Sequence, residues 1–216
     1  LMLVSDGQMA SLSARAWGDL KKKEKIARDP KYQNRLRGVG RKITTAANMN
    51  NINWEYAAFQ SDQKNAFVLP GGKVGFYTGM MDFVDNDAQL AAIMGHEVGH
   101  VRARHGAERY SQGIASQVGM TAAQVAVAAS DVSYGAPLIS ALGLGLQFGV
   151  LLPYSRSHEL EADSIGLNYM TKAGYNPHQS VALWQKMANE GGGRRPPEFM
   201  STHPDPTTRI PALRQQ

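Results

Sequence analysis

The sequence predicts an α+β domain, predominantly α-helical, with one small β-sheet. Three observations point there. Apolar residues recur at helical spacing through much of the chain, as in Tyr32, Leu36, Val39 and Ile43. Strand chemistry is confined to one stretch, Trp54 to Met81, where aromatic and β-branched residues lie between turn formers. No linker is long or polar enough to divide the 216 residues. They read as one unit, with a helical N-terminal part over residues 1–50 and a core over 51–216.

The elements follow in order. Ser5 to about Ala27 reads as a helix with lysine-rich polar positions, broken at Asp29-Pro30. Pro30 to about Met49 is a second helix, ended by the turn formers of "NMNNIN". "WEYAAFQ" is a strand and "SDQKN" a turn. "AFVLPGGKVGFYTGMM" reads as two extended segments around Pro70-Gly71-Gly72. The glycine pair suits a tight hairpin turn, and Pro70, lacking an N–H, belongs on an edge. Asp85 or Asn86 caps a helix that carries Leu90, Ile93, Met94, Val98 and Val101 to about His105. Ala107 to about Ala129 is helical, and "SDVSYGAP" interrupts it. "LISALGLGLQFGVLLP" is apolar and glycine-rich, either a buried helix or a cover. Ser155 to about Ala173 is a helix stopped by Gly174. Pro177 opens another through Leu183, Trp184 and Met187. "GGGRRPPEF" is a loop, and "STHPDPTTRIPALRQQ" a turn and a short helix.

Composition excludes several classes. There are no cysteines, hence no disulfide framework and no thiolate metal site. The net charge is +5, much of it between Lys21 and Lys42. Aromatics are not interleaved there as a nucleic-acid platform requires, so the basic run reads as a solvated helix face and no nucleic-acid partner is expected. No glycine run continues into the lysine and Ser/Thr of a phosphate loop. No stretch reaches the roughly 18 uninterrupted apolar residues of a membrane-spanning helix. The chain opens on Leu1, which reads as a processed piece.

The chemistry concentrates in "AAIMGHEVGHVRARHG", Ala91 to Gly106. His96 and His100 are four apart, so a helix puts both imidazoles on one face, roughly 6 Å apart, able to reach one Zn²⁺. Glu97 is rotated about 100° away and is placed to take a proton from water rather than to bind metal. Gly99 costs about 1 kcal/mol in a helix interior relative to alanine, which is explained if another backbone packs closely there. Catalytic zinc takes three protein ligands and leaves one position open. His105 follows His100 by five and reads as solvent-facing or as a support to a ligand. A carboxylate on a second helix is the other source of a third ligand. "SRSHELEADSIG" offers Glu159 and Glu161, about 200° apart on a helix. Glu159 shares its face with Asp163, which suits one on the metal and the other accepting the outer N–H of a ligand histidine. Glu161 is the alternative, otherwise solvated or paired with a base, and His158 reads as a bystander.

"GHEVGH" followed by "YSRSHELEAD", with "NAFVLPGGKVGFYTGM" before and "STHPDPTTRI" after, resembles the gluzincin metallopeptidases of the CAAX prenyl protease and HtpX type, in their soluble BepA/YggG-like and Oma-like branch. The resemblance runs from about Trp54 to the C-terminus. It implies a zincin-like metallopeptidase domain holding one Zn²⁺ by His96, His100 and Glu159, with Glu97 as general base and Asp163 as the supporting aspartate. It also implies that His203 approaches the metal, either assisting the reaction or blocking it as a fourth ligand. A polypeptide substrate is expected to lie extended along Asn65, Ala66, Phe67 and Val68, as an added strand. Tyr154 and Arg156 are candidates for stabilising the developing oxyanion. The expected function is zinc endopeptidase activity on misfolded or envelope proteins in quality control; the alternative is a latent, zinc-loaded chaperone or adaptor. By the same resemblance the expected location is the bacterial cell envelope, in the periplasm, with peripheral or lipid-anchored membrane association.

Overall fold

The computed structural model describes residues 2–127, 153–193, 196–204 and 206–216, with side chains left aside at 117–127. The apolar segment from Leu138 to Leu152 lies outside the described residues. The helices start where the sequence offers caps. Helix α1 (Asp6–Lys23) begins at Ser5, whose hydroxyl accepts from Gln8 N–H while the Gln8 side chain accepts from Ser5 N–H. Helix α2 (Pro30–Ala46) has Asp29 as cap and Pro30 at its first position. Its stripe of Leu36, Val39 and Ile43 is buried in the main core.

Strands β1 (Glu55–Phe59), β2 (Ala66–Leu69) and β3 (Lys73–Tyr77) form one mixed sheet in the order β1-β3-β2. β1 runs parallel to β3, and β2 antiparallel to it. The β2–β3 hairpin turns through Gly71 and Gly72, at φ +89° and +87°, a backbone region closed to most side chains. Both outer strands are edges, but they differ. On β1, Ala27 and Lys25 bond the backbone of Ala58 and Gln60, and the Gln33 amide bonds Tyr56 and Ala58. No strand among the described residues pairs with the outer side of β2. Trp17 of α1 packs on one face of the sheet with Phe59 and Phe67, its indole N–H on Glu55.

Thr78 to Met81 departs from expectation. The extended segment ends at Tyr77 and helix α3 (Thr78–Phe83) follows at once. The cause is tertiary: Thr78 Oγ1 bonds Ser61 C=O, and Gly79 N–H bonds the same carbonyl. A Cβ on Gly79 would stand 2.3 Å from Asp62 O, so only glycine allows this approach. Met80 and Met81 then bury as a helical pair.

Helix α4 (Asp87–Arg102) is capped by Asn86 and buried on all sides from Gln89 to His100, rather than along one stripe. α5 (His105–Val127) follows it after a short turn. The remaining described helices are α6 (Arg156–Lys172), α7 (His178–Gly191), α8 (Phe199–Thr202) and α9 (Pro206–Arg214). α4 and α6 meet backbone to backbone. A Cβ on Gly99 would lie 2.9 Å from Ala162 O, and one on Gly166 would lie 2.7 Å from His96 N. The glycine at 99 is therefore a packing residue, as its position in the sequence suggested. Gly166→Ala gains up to about 1 kcal/mol in helix propensity but overpacks two backbones that cannot swing aside, for a net loss of about 1–2 kcal/mol. Urea unfolding of the variant against the parent chain measures it.

Candidate metal centre

The close crossing of α4 and α6 decides the site. His96 and His100 project from one face of α4. Glu159 lies in the first turn of α6, which Ser155 caps by accepting from His158 N–H. One ligand atom each from His96, His100, Glu159 and His203 falls within 4.8 Å of all the others, and all four residues are buried. His100 Nε2 is 3.0 Å from His96 Nε2 and 3.2 Å from Glu159 Oε1; His96 Nε2 is 3.5 Å from Glu159 Oε2. Zinc bonds of about 2.0–2.1 Å in a tetrahedron put neighbouring ligand atoms about 3.3 Å apart. The contacts here, of which the two to Glu159 end on different carboxylate oxygens, lie between 3.0 and 3.5 Å.

The unsatisfied atoms agree. Both carboxylate oxygens of Glu97, Glu159 Oε1 and His203 Nε2 have no hydrogen-bond partner among the described residues, although all are buried; Glu159 Oε2 meets the Arg209 guanidinium at 2.6 Å. Buried polar atoms without partners are costly, and a cation among them removes the cost. The His203 ring stacks on Phe199 at 3.9 Å, with Nδ1 3.2 Å from Phe199 C=O and 3.0 Å from Thr202 Oγ1. His203 Nε2 points into the cluster, 3.2 Å from Glu97 Oε1. The donor set, nitrogen and oxygen without sulfur, suits Zn²⁺.

The ring opposite the cluster on His96 is anchored by charge. Its Nδ1 is 2.9 Å from Asp163 Oδ1. The Arg209 guanidinium holds Asp163 with two bonds of 2.6 and 2.7 Å, stands 2.6 Å from Glu159 Oε2 and lies 4.1 Å over the Trp184 ring. Burial is the largest influence on Glu159 and opposes its charge. The imidazoles of His203 and His96 and the Arg209 guanidinium outweigh it and hold the carboxyl well below the usual range. Burial likewise opposes charge on His96, but Glu159 and Asp163 push that imidazole up to about 9. Burial carries His100 the other way, well below its ordinary value. The two neighbouring imidazoles of α4 are thus pushed in opposite directions.

The profile of Peptidase family M48 matches residues 30–216. The chain belongs to this family. It is 37% identical over 173 residues to the mitochondrial metalloendopeptidase OMA1 of Schizosaccharomyces pombe, covering 80% of this chain and 49% of that protein. Against OMA1 of Arabidopsis thaliana it is 31% identical over 214 residues, 98% of this chain and 42% of the relative. Against the beta-barrel assembly-enhancing protease of Escherichia coli K12 it is 27% identical over 196 residues, 88% and 40%. The chain thus spans about half or less of the length of these curated M48 relatives. Helix α1 lies before the residues the family profile matches.

Within this M48 chain the structure gathers some of the expected residues and not others. Glu159 lies in the cluster; Glu161 lies outside it, its Oε2 3.0 Å from His105 Nε2. His105 is buried, not solvent-facing. His158 stacks on His105 at 4.2 Å and reaches Glu108 at 3.0 Å. Tyr154 is buried against the site, its ring 3.7 Å from that of His100 and beneath the Arg109 guanidinium, and burial pushes its hydroxyl up. Arg156, first residue of α6, is exposed. On β2, Tyr77 N–H bonds Asn65 C=O, so residues 65, 67 and 69 face β3. Ala66 and Val68 turn their backbone groups to the open side, where the Asn65 side chain meets Ala66 N–H. Arg209 has no counterpart in the sequence reading. In "THPDPTTRI" it looks like a surface arginine; the available signal was Asp163, a carboxylate expected inside with no cation assigned to it.

Proposed function

We propose that this M48 chain is a zinc endopeptidase domain with one Zn²⁺ per chain held by His96, His100 and Glu159, acting on polypeptides in quality control of the cell envelope. The observation that carries the reading is the buried cluster of His96, His100, Glu159 and His203, with Glu159 Oε1 and His203 Nε2 lacking hydrogen-bond partners among the described residues. Zn²⁺, when bound, polarises a scissile carbonyl and acidifies a water. Glu97, next along the helix from His96 and outside the ligand cluster, would act as the general base, taking a proton from water and passing it to the leaving amine. Tyr154, whose hydroxyl burial keeps from ionising and whose ring stacks on His100, is the candidate donor to the developing oxyanion. Arg156 is a further donor from the rim. Substrate backbone pairs with the open side of β2 along Asn65–Val68, which confers affinity with little sequence preference. The envelope location and membrane association rest on resemblance to the beta-barrel assembly-enhancing protease. Among the described residues no helix is long and apolar enough to cross a membrane.

A second reading has its own observation. His203 Nε2 lies within the ligand cluster, where it competes with substrate and makes the domain latent, a zinc-loaded binder of envelope-assembly clients. One set of measurements separates the two: zinc content and casein cleavage for the parent chain, His203→Ala, Glu159→Ala and Glu161→Ala. Glu159→Ala is expected to lose zinc and cleavage together, while Glu161→Ala keeps stoichiometric zinc. Cleavage that rises in His203→Ala establishes latency. Zinc without cleavage in both the parent and His203→Ala leaves only the binder.

A further inference from the structure

The two histidines on α4 are supported unequally. His96 rests on a carboxylate directly, whereas among the described residues no acid reaches the outer nitrogen of His100. It has His105 instead, with the two Nδ1 atoms 2.9 Å apart. This contact is not a product of helix periodicity. On an unbroken helix the residue five positions on is rotated about 140° away. It is made by Arg104, at φ +61°, a left-handed conformation that costs a non-glycine residue roughly 1 kcal/mol. That residue ends α4 and turns the first side chain of α5 back onto the last ligand of α4. The opposite nitrogen of His105, Nε2, is 3.0 Å from Glu161 Oε2, and the Glu161 side chain is 58% exposed.

We propose that Glu161 and His105 form a hydrogen-bond relay that sets the tautomer and ring orientation of His100 as a metal ligand. The proton positions follow from the donors. A carboxylate only accepts, so His105 carries its proton on Nε2 and donates it to Glu161. His105 Nδ1 is then a lone pair, and the 2.9 Å contact requires the proton on His100 Nδ1. His100 Nε2, which faces Glu159 and His96, is left as the lone pair that binds metal. His158, stacked on His105 and tied to Glu108, holds the plane of the relay ring. His105 is thus a positioning residue: it reaches the centre only through His100. An outer hydrogen bond of this kind raises ligand basicity and removes the wrong tautomer.

The proposal rests on the metal reading above, and its test keeps the two apart. Zinc affinity is measured by chelator competition for the parent chain, His105→Leu, His105→Asn and Glu161→Ala. Histidine tautomers are read from long-range ¹H–¹⁵N correlations on the parent chain. His105→Leu is expected to weaken zinc binding about 10–100-fold. His105→Asn, whose Oδ1 stands close to the place of Nδ1 and accepts the same proton, recovers most of that loss. Glu161→Ala falls between the parent and His105→Leu. The spectrum shows His105 protonated on Nε2 and His100 on Nδ1. A His105 proton on Nδ1, or a His105→Asn variant no tighter than His105→Leu, overturns the relay. A parent chain that takes up no zinc sinks the metal reading instead, and its spectrum still decides the relay by the nitrogen of His105 that carries the proton.

Discussion

Glu97→Gln keeps its zinc and loses peptide hydrolysis by about a thousandfold or more, the upper part of the range expected for removal of a general base. The substitution changes one oxygen to an amide nitrogen and leaves volume and burial alone. Glu97 is fully buried and is not part of the ligand cluster, so metal content is insulated from the change. Glutamine cannot take up the proton that glutamate removes from water, so the loss falls on kcat while KM stays near the parent value. The measurement is zinc stoichiometry together with kcat and KM on an extended peptide, made in the His203→Ala background if the parent chain is latent. Zinc loss in Glu97→Gln would move Glu97 into the ligand set. Cleavage within about tenfold of the parent would place the base elsewhere.

The largest stability effect is expected at Arg209. Truncation to alanine leaves the Asp163 and Glu159 carboxylates buried without their guanidinium and removes the stacking on Trp184. Breaking a buried ion pair from one side costs about 3–5 kcal/mol, because the charge left behind has neither water nor partner. Removing both partners, as in Asp163→Ala with Arg209→Ala, relieves part of this, so the double variant is more stable than the single losses predict when added. Arg209→Lys recovers little, since an ammonium cannot make two parallel bonds to Asp163 while reaching Glu159. Urea unfolding of metal-free protein tests all four chains without interference from zinc. A loss under about 1 kcal/mol for Arg209→Ala would show that water enters the cluster and that the network is not a closed one.

The parts legible in the sequence share one property: each is decided within a turn or two of chain. The four-residue spacing of His96 and His100 puts both on one helix face whatever surrounds the helix. The Gly71-Gly72 hairpin follows from the conformational freedom of its own two residues, and Asn86 caps α4 through its own side chain. The choice between Glu159 and Glu161 was different. Both sit on one helix, and periodicity says only that they point apart; which one faces the histidines depends on how α6 is rotated against α4. The M48 motif indicated the answer by likeness, and the structure places it through the contacts at Gly99 and Gly166.

The helix at Thr78–Phe83 escaped the sequence for a related reason. Its local chemistry continues the strand, and the hydrogen bonds to Ser61 that end it come from a turn seventeen residues earlier. Arg209 and His105 were harder still. An arginine among prolines carries no sign of burial in its neighbours, and for a histidine three residues past the end of α4 the sequence left solvent exposure and support of a ligand both open.

By itself, then, the sequence determined the mixed, mainly helical class, the paired histidines with their adjacent glutamate, and the lack of a cysteine thiolate. Those are consequences of composition and of a helix with 3.6 residues per turn. The tertiary structure alone decided which carboxylate meets the histidines, that His203 comes back to face Glu97, that Arg209 stands behind Glu159 and Asp163, and that His105 stands behind His100. Such contacts depend on the angle and depth at which helices cross, and these are set by packing between residues far apart in the chain.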